Sequence, residues 1–119
     1  MAPQLSGRPG KAIVFIGFMG AGKSSAAREA ATALGVRAAD TDRIIEERLG
    51  CSVEEAFRRH GEAGFRAEEE RVCVEVLDRA GAGDVISLGG GAIGSEATRA
   101  ALARHTTVLV DLDLETAWS

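Results

Sequence analysis

Cysteine is scarce in this sequence: Cys51 and Cys73 are the only two. A disulfide-stapled secreted domain would carry more, and neither a Cys-x-x-Cys pair nor a Cys/His metal spacing is present. Both thiols read as small buried hydrophobes, which suits a reducing cytoplasm. Long apolar runs are also missing. None approaches the roughly 20 residues that cross a bilayer. Positive charge is in deficit, with 14 Lys and Arg against 18 Asp and Glu and a formal net charge of −4. That balance argues against nucleic acid and against an anionic membrane surface as partners, so any positive site for phosphate must be local. Proline occurs only twice, in the first ten residues beside two glycines, so residues 1–10 read as a loose tail. No internal repeat or low-complexity tract is found. The apolar stretch after Lys11 runs into Lys23 without a small-x-small cleavage site, so it does not read as a signal peptide.

What remains is the material of one small soluble domain: 119 residues, 45% hydrophobic and 27% charged. Short apolar runs alternate with helical patterns. Strands are expected at 12–17, 36–39, 85–88 and 107–112. Helices are expected at 23–34, closed by Gly35, and at 43–49, stopped by Gly50. Ser52 and Glu55 form a capping box that starts a third helix, with Val53, Ala56 and Phe57 turned inward. Gly61 and Gly64 are expected to break it. An apolar stripe from Phe65 through Val72, Cys73, Val76 and Leu77 marks a further helix. Ser95 starts another, ending near Arg104, and residues 114–118 would begin a last one. Such alternation implies parallel strands with helical crossovers, a three-layer α/β fold in which ligands collect at the carboxyl ends of the strands.

Three motifs fall at such ends. "GFMGAGKS" (17–24) follows a buried strand and opens a helix. Its glycines allow backbone N–H groups to converge on an anion, and the helix N-terminus adds partial positive charge. Lys23 reaches the β- and γ-phosphates, and the Ser24 hydroxyl ligates Mg2+. "DTD" places Asp40 and Asp42 on either side of Thr41. One carboxylate can face a metal's water shell and the other an acceptor hydroxyl, or both can simply serve the start of a helix. "SLGGGA" follows the third strand. Three glycines cost chain entropy but leave backbone N–H groups open to a ligand, and Ser87 sits where a metal-bound water could be held. Between these motifs Arg66 has Glu69 and Glu70 three and four positions later, either of which can hold it. His60 and His105 read as surface or helix-end residues.

In order and spacing, "GFMGAGKSS", "DTDRIIEERLG", "GEAGFRAEEE" and "SLGGGA" resemble the shikimate kinase family. The resemblance implies a P-loop kinase of the nucleoside-monophosphate-kinase-like branch, with a parallel sheet in the order 2-3-1-4-5. It also implies transfer of the ATP γ-phosphate to the 3-hydroxyl of shikimate, with Mg2+ as cofactor and ATP/ADP and shikimate as the partners of a cytoplasmic monomer. Residues 11–119 would form the domain, and 43–80 its shikimate-binding helical segment. By motif, Gly20, Ala21, Gly22, Lys23, Ser24 and Ser25 hold phosphate, and Ser24 and Asp40 serve the metal. Lys23 and Asp42 are catalytic, Asp42 touching the acceptor hydroxyl. Arg66 clamps the shikimate carboxylate and Glu69 orients it. Gly89, Gly90 and Gly91 form the surface under the ring, with Phe57 and Phe65 as apolar walls or plain core.

The family pattern runs on past the fourth strand into an arginine-bearing lid and a fifth strand, which this sequence does not contain. The resemblance therefore implies weak nucleotide binding and little turnover for these 119 residues alone. Two other readings stand beside it: a kinase for another hydroxylated carboxylate, such as gluconate, and a nucleotide-binding fragment without activity.

Overall fold

The structure is a computed structural model that describes residues 5–17 and 23–110, with only the backbone of Lys23 and Ser24. Four strands form one parallel sheet: β1 (Ile13–Ile16), β2 (Ala38–Asp40), β3 (Val85–Ser87) and β4 (Thr106–Leu109), in the order β2-β3-β1-β4. The helices are α1 (Lys23–Leu34), α2 (Thr41–Leu49), α3 (Val53–Arg79) and α4 (Glu96–Leu102). A short 3-10 turn at Ala92–Gly94, absent from the sequence reading, precedes α4.

Strand alternation builds the layers. Val14 pairs with Ile86, which pairs with Ala39. All three point into the larger core with Ile44 and Ile45 of α2, Phe65, Val72 and Leu77 of α3, and Leu102 of α4. Phe15 and Val85 point the other way, onto Ala27 and Ala31 of α1. A strand with both faces covered must be apolar at every position, which is why residues 13–16 read as a continuous run rather than an alternating one. The expected three-layer fold is present. Among the described residues β4 lies at the sheet edge, and all four of its residues are exposed.

Several local expectations are corrected. The second strand begins at Ala38 rather than Val36 and includes Asp40. Gly61 does interrupt the third helix, with φ 71° and ψ 172°, but Gly64 does not: α3 resumes and runs unbroken to Arg79. One residue in the left-handed region suffices to kink a helix that is anchored by packing on both sides. The fourth strand starts at Thr106, and positions 111–112 and the helix expected at 114–118 lie outside the described residues.

Residues 5 and 6 are held rather than loose. Both Asp84 oxygens accept from the Ser6 N–H at 3.0 Å, and one accepts from Gly81 N–H at 2.8 Å. Leu5 packs on the larger core. Removing a buried acceptor leaves its donors unpaired, so Asp84→Ala should cost about 1–3 kcal/mol in urea unfolding. It should also release Ser6 to fast amide exchange. Unchanged exchange at Ser6 would show that Asp84 is not what holds the segment.

His105 is also corrected: it is buried. Its Nδ1 accepts from the Ala12 N–H at 3.0 Å, so Nε2 carries the proton and donates to the Leu77 carbonyl at 2.7 Å. One ring thus ties the start of β1 to the end of α3. On the far side of α3, Arg48 of α2 makes a two-pronged ion pair with Glu75, which holds that carboxyl below the usual range.

Candidate active site

The motif residues come together at the carboxyl ends of β1, β2 and β3. Of the phosphate-loop candidates, Gly20, Ala21 and Gly22 lie outside the described residues, as do the side chains of Lys23 and Ser24. What frames them is described. β1 is followed by Gly17, whose φ is 155° and where an added Cβ would stand 2.7 Å from the Val110 carbonyl oxygen. Only glycine fits there. α1 begins at Lys23, so the loop joins a buried strand to a helix N-terminus as its pattern requires. Ser25 is exposed, and its hydroxyl accepts from Arg28 Nη2 at 3.3 Å.

Asp40 and Asp42 divide their work. Asp40 is the N-cap of α2: its Oδ1 accepts from the backbone N–H of Asp42 at 3.0 Å and of Arg43 at 3.4 Å. One of its oxygens is thereby engaged with the helix. Asp42 lies in the first turn of α2 and turns toward the glycine loop. A Cβ placed on Gly89 would stand 2.4 Å from Asp42 Oδ1.

The other end of that loop meets Arg66. A Cβ on Gly91 would stand 2.4 Å from one guanidinium nitrogen and 2.7 Å from the other. Arg66 is steered from two directions. Glu69, whose side chain is 6% exposed, accepts from Arg66 Nη1 at 2.7 Å. The rings of Phe57 and Phe65, stacked at 4.4 Å, lie under the guanidinium at 5.3 and 5.6 Å. Phe65 is core, at 1% exposed, and Phe57 packs against the core's edge. Both therefore support Arg66 more directly than they wall an open pocket. The guanidinium itself is 40% exposed on its side chain, so a free face is available to an anion. Glu70 does not hold Arg66. It accepts from the Ser95 hydroxyl at 2.5 Å, at the N-cap of α4.

The role expected of Gly89 changes. The Gly89 N–H does not face a ligand: it donates to Thr41 Oγ1 at 2.9 Å. Gly89 is needed for the space its absent side chain leaves to the Asp42 carboxylate, and Gly91 for the space it leaves to Arg66. Gly90 lies between them, half-buried. Thr41 was not singled out by its motif, because its partner is 48 positions away and no local periodicity reports that contact.

Among the described residues no group of three or more His, Cys, Asp or Glu side chains converges as a metal cage. A cation here would be held through substrate phosphates and one or two protein oxygens, the usual arrangement for Mg2+. Among the same residues no helix is long and apolar enough to cross a membrane.

The arrangement sets a planar cation at one end of a glycine loop and a carboxylate at the other, which can take a small anion bearing a hydroxyl. Comparison with known proteins gives the family. The family model "Shikimate kinase" matches residues 19–119. The chain is 43% identical over 116 residues to a shikimate kinase of Paramagnetospirillum magneticum, covering 97% of this chain and 58% of that protein. It is 46% identical over 102 residues to one of Mesorhizobium japonicum, covering 85% and 49%. Among solved structures, shikimate kinase from Acinetobacter baumannii in complex with shikimate superimposes with a TM-score of 0.80 at 33% identity, covering 92% of this chain and 63% of that one. The enzyme from Bacteroides thetaiotaomicron gives 0.77 at 36% identity, covering 85% and 57%. The chain thus spans about half the length of the curated relatives it matches. With the family model covering most of its length, the chain belongs to the shikimate kinase family.

Proposed function

We propose that this chain carries the phosphate-loop and acceptor-binding parts of a shikimate kinase, which transfers the ATP γ-phosphate to the 3-hydroxyl of shikimate. The observation that carries the reading is the opposition of Asp42 and Arg66 across Gly89–Gly91. Shikimate is a ring with a carboxylate at one end and hydroxyls at the other. Arg66 takes the carboxylate by charge-assisted bonds from its free face. Asp42 accepts the proton of the 3-hydroxyl as that oxygen bonds to the γ-phosphorus and the bond to ADP breaks. Lys23 and the loop 20–25 hold the phosphates, and Ser24 and Asp40 would hold Mg2+, which supplies positive charge to the transferring phosphoryl group. Asp40 suits an indirect role through metal-bound water, because one of its oxygens caps α2.

Asp42, Arg66 and the glycine loop all come from one chain, so the reading needs no second subunit and takes the protein as a monomer. Its free thiols suit a reducing cytoplasm. Burial pushes the Cys73 thiol up to about 12, against a smaller opposing hydrogen bond from Thr41, and keeps it inert.

The test is calorimetric titration of the purified chain with shikimate and with gluconate, alongside ADP release with ATP, Mg2+ and each acid. Shikimate is expected to bind and gluconate not to. Gluconate binding with no response to shikimate would overturn the assignment of substrate. Nucleotide binding with no response to either acid would favour a nucleotide-binding module.

A further inference from the structure

The middle residue of "DTD" has no part in the reaction just described, yet it is the most deeply placed of the three. Thr41 is 0% exposed. Its hydroxyl accepts from the Gly89 N–H at 2.9 Å and shares its own proton between the Ser87 carbonyl at 3.4 Å and the Cys73 sulfur. The strand register gives this contact its meaning. β2 pairs with β3 as far as Asp40 opposite Ser87, and there β2 stops because α2 begins at Thr41. Beyond that point the Thr41 side chain takes over, accepting the Gly89 N–H that would otherwise have no strand partner.

The bond has a second end. Asp42 is the next residue, and its Oδ1 stands 2.4 Å from the point a Gly89 Cβ would occupy. The loop is also fixed by Ala92 N–H to the Gly89 carbonyl and Gly94 N–H to the Gly91 carbonyl, each 3.1 Å, which belong to the 3-10 turn and not to α2. Arg66 stands at Gly91, on α3, and is held by Glu69 and two rings rather than by Thr41.

We infer that Thr41 is a positioning residue for the acceptor half of the site: its hydroxyl holds Gly89 against Asp42, so that the carboxylate meets the acceptor hydroxyl, while the carboxylate clamp at Arg66 is set independently. This rests on the shikimate reading, and goes beyond it by dividing the site into two separately supported halves. A residue here must donate and accept at once. Serine meets that need. Valine, of nearly the same shape, takes the hydroxyl from both backbone groups and leaves the buried Gly89 N–H unpaired.

The experiment compares Thr41→Val and Thr41→Ser with the parent chain in two measurements. The first is amide exchange of Gly89 without ligand. Thr41→Val should lose protection at Gly89 while Val14 and Val72 keep theirs, and Thr41→Ser should restore it. The second is calorimetric affinity for shikimate and for 3-deoxyshikimate, which lacks the acceptor hydroxyl. Thr41→Val should weaken shikimate by about tenfold and leave 3-deoxyshikimate unchanged. Equal weakening of both ligands would mean a general structural role and overturn the inference. So would intact Gly89 protection in Thr41→Val. If the parent binds neither ligand, the shikimate reading fails, and with it the division of the site, whereas the exchange measurement still decides whether Thr41 holds the loop. Should Thr41→Val not fold, Thr41→Ala serves, because water can enter the vacated space and pair the two backbone groups while the fixed distance to Asp42 is lost.

Discussion

Arg66→Ala is expected to lower shikimate affinity by about 1.5–3 kcal/mol, roughly ten- to 150-fold, with nucleotide binding retained. The loss is that of charge-assisted bonds between a planar guanidinium and a carboxylate. Arg66→Lys should recover only part of it, since an ammonium keeps the charge but lacks the fork and does not stack on Phe57 and Phe65 in the same way. Arg66→Ala also leaves Glu69, 4% exposed, without its cation. That cost is moderated because solvent already reaches the guanidinium side of the pair. Titration calorimetry for shikimate and for ATP, with thermal unfolding as the control, separates the two effects. A variant that stays folded and binds shikimate as the parent does would remove Arg66 from the substrate site.

Gly89→Ala should strike the chemical step instead. Gly89 does not lie in the left-handed region, so its backbone accepts alanine, and what the new methyl meets is the flexible end of Asp42 at 2.4 Å. The carboxylate can swing away, so stability should change by no more than about 1 kcal/mol in either direction. The acceptor hydroxyl then loses its partner. Displacement of about 1 Å costs on the order of 100-fold in rate, and kcat for shikimate-dependent ADP release should fall by about that factor. Gly91→Ala provides the contrast, because its methyl meets the guanidinium of Arg66 at 2.4 Å. It should raise KM for shikimate more than it lowers kcat. If both variants change the same kinetic parameter to the same degree, the two ends of the loop do not have distinct tasks.

Much of the fold was legible from short-range pattern. The run 13–16 ahead of "GFMGAGKS" and the helix after it, the Ser52 cap of α3, and the left-handed stop at Gly50 all depend on neighbours within one or two turns, whereas Glu55 pairs with Arg58 and Arg59 instead of completing the expected capping box. The Gly61 break was legible for the same reason. Gly64 was misjudged because glycine permits a break without requiring one, and packing of Phe65 and Val72 into the core kept the helix intact. His105 was misread for want of any local signal: its partners are Ala12 and Leu77, 93 and 28 positions away.

The sequence by itself determined that the strands are parallel and that the "DTD" and glycine motifs fall at strand ends. Both follow from residue type at fixed spacing, where backbone torsion and hydrophobic period leave few alternatives; a place for Arg66 beside them was implied only by the family resemblance. Only the tertiary structure decided what those residues do to one another. It made Asp40 a helix cap, chose Glu69 over Glu70 for Arg66, turned the Gly89 N–H to Thr41, and left space at Gly89 for Asp42 and at Gly91 for Arg66. These choices turn on ångström distances between elements far apart in the chain, and such distances are set by how α2, α3 and the sheet pack together, which no spacing along the sequence records.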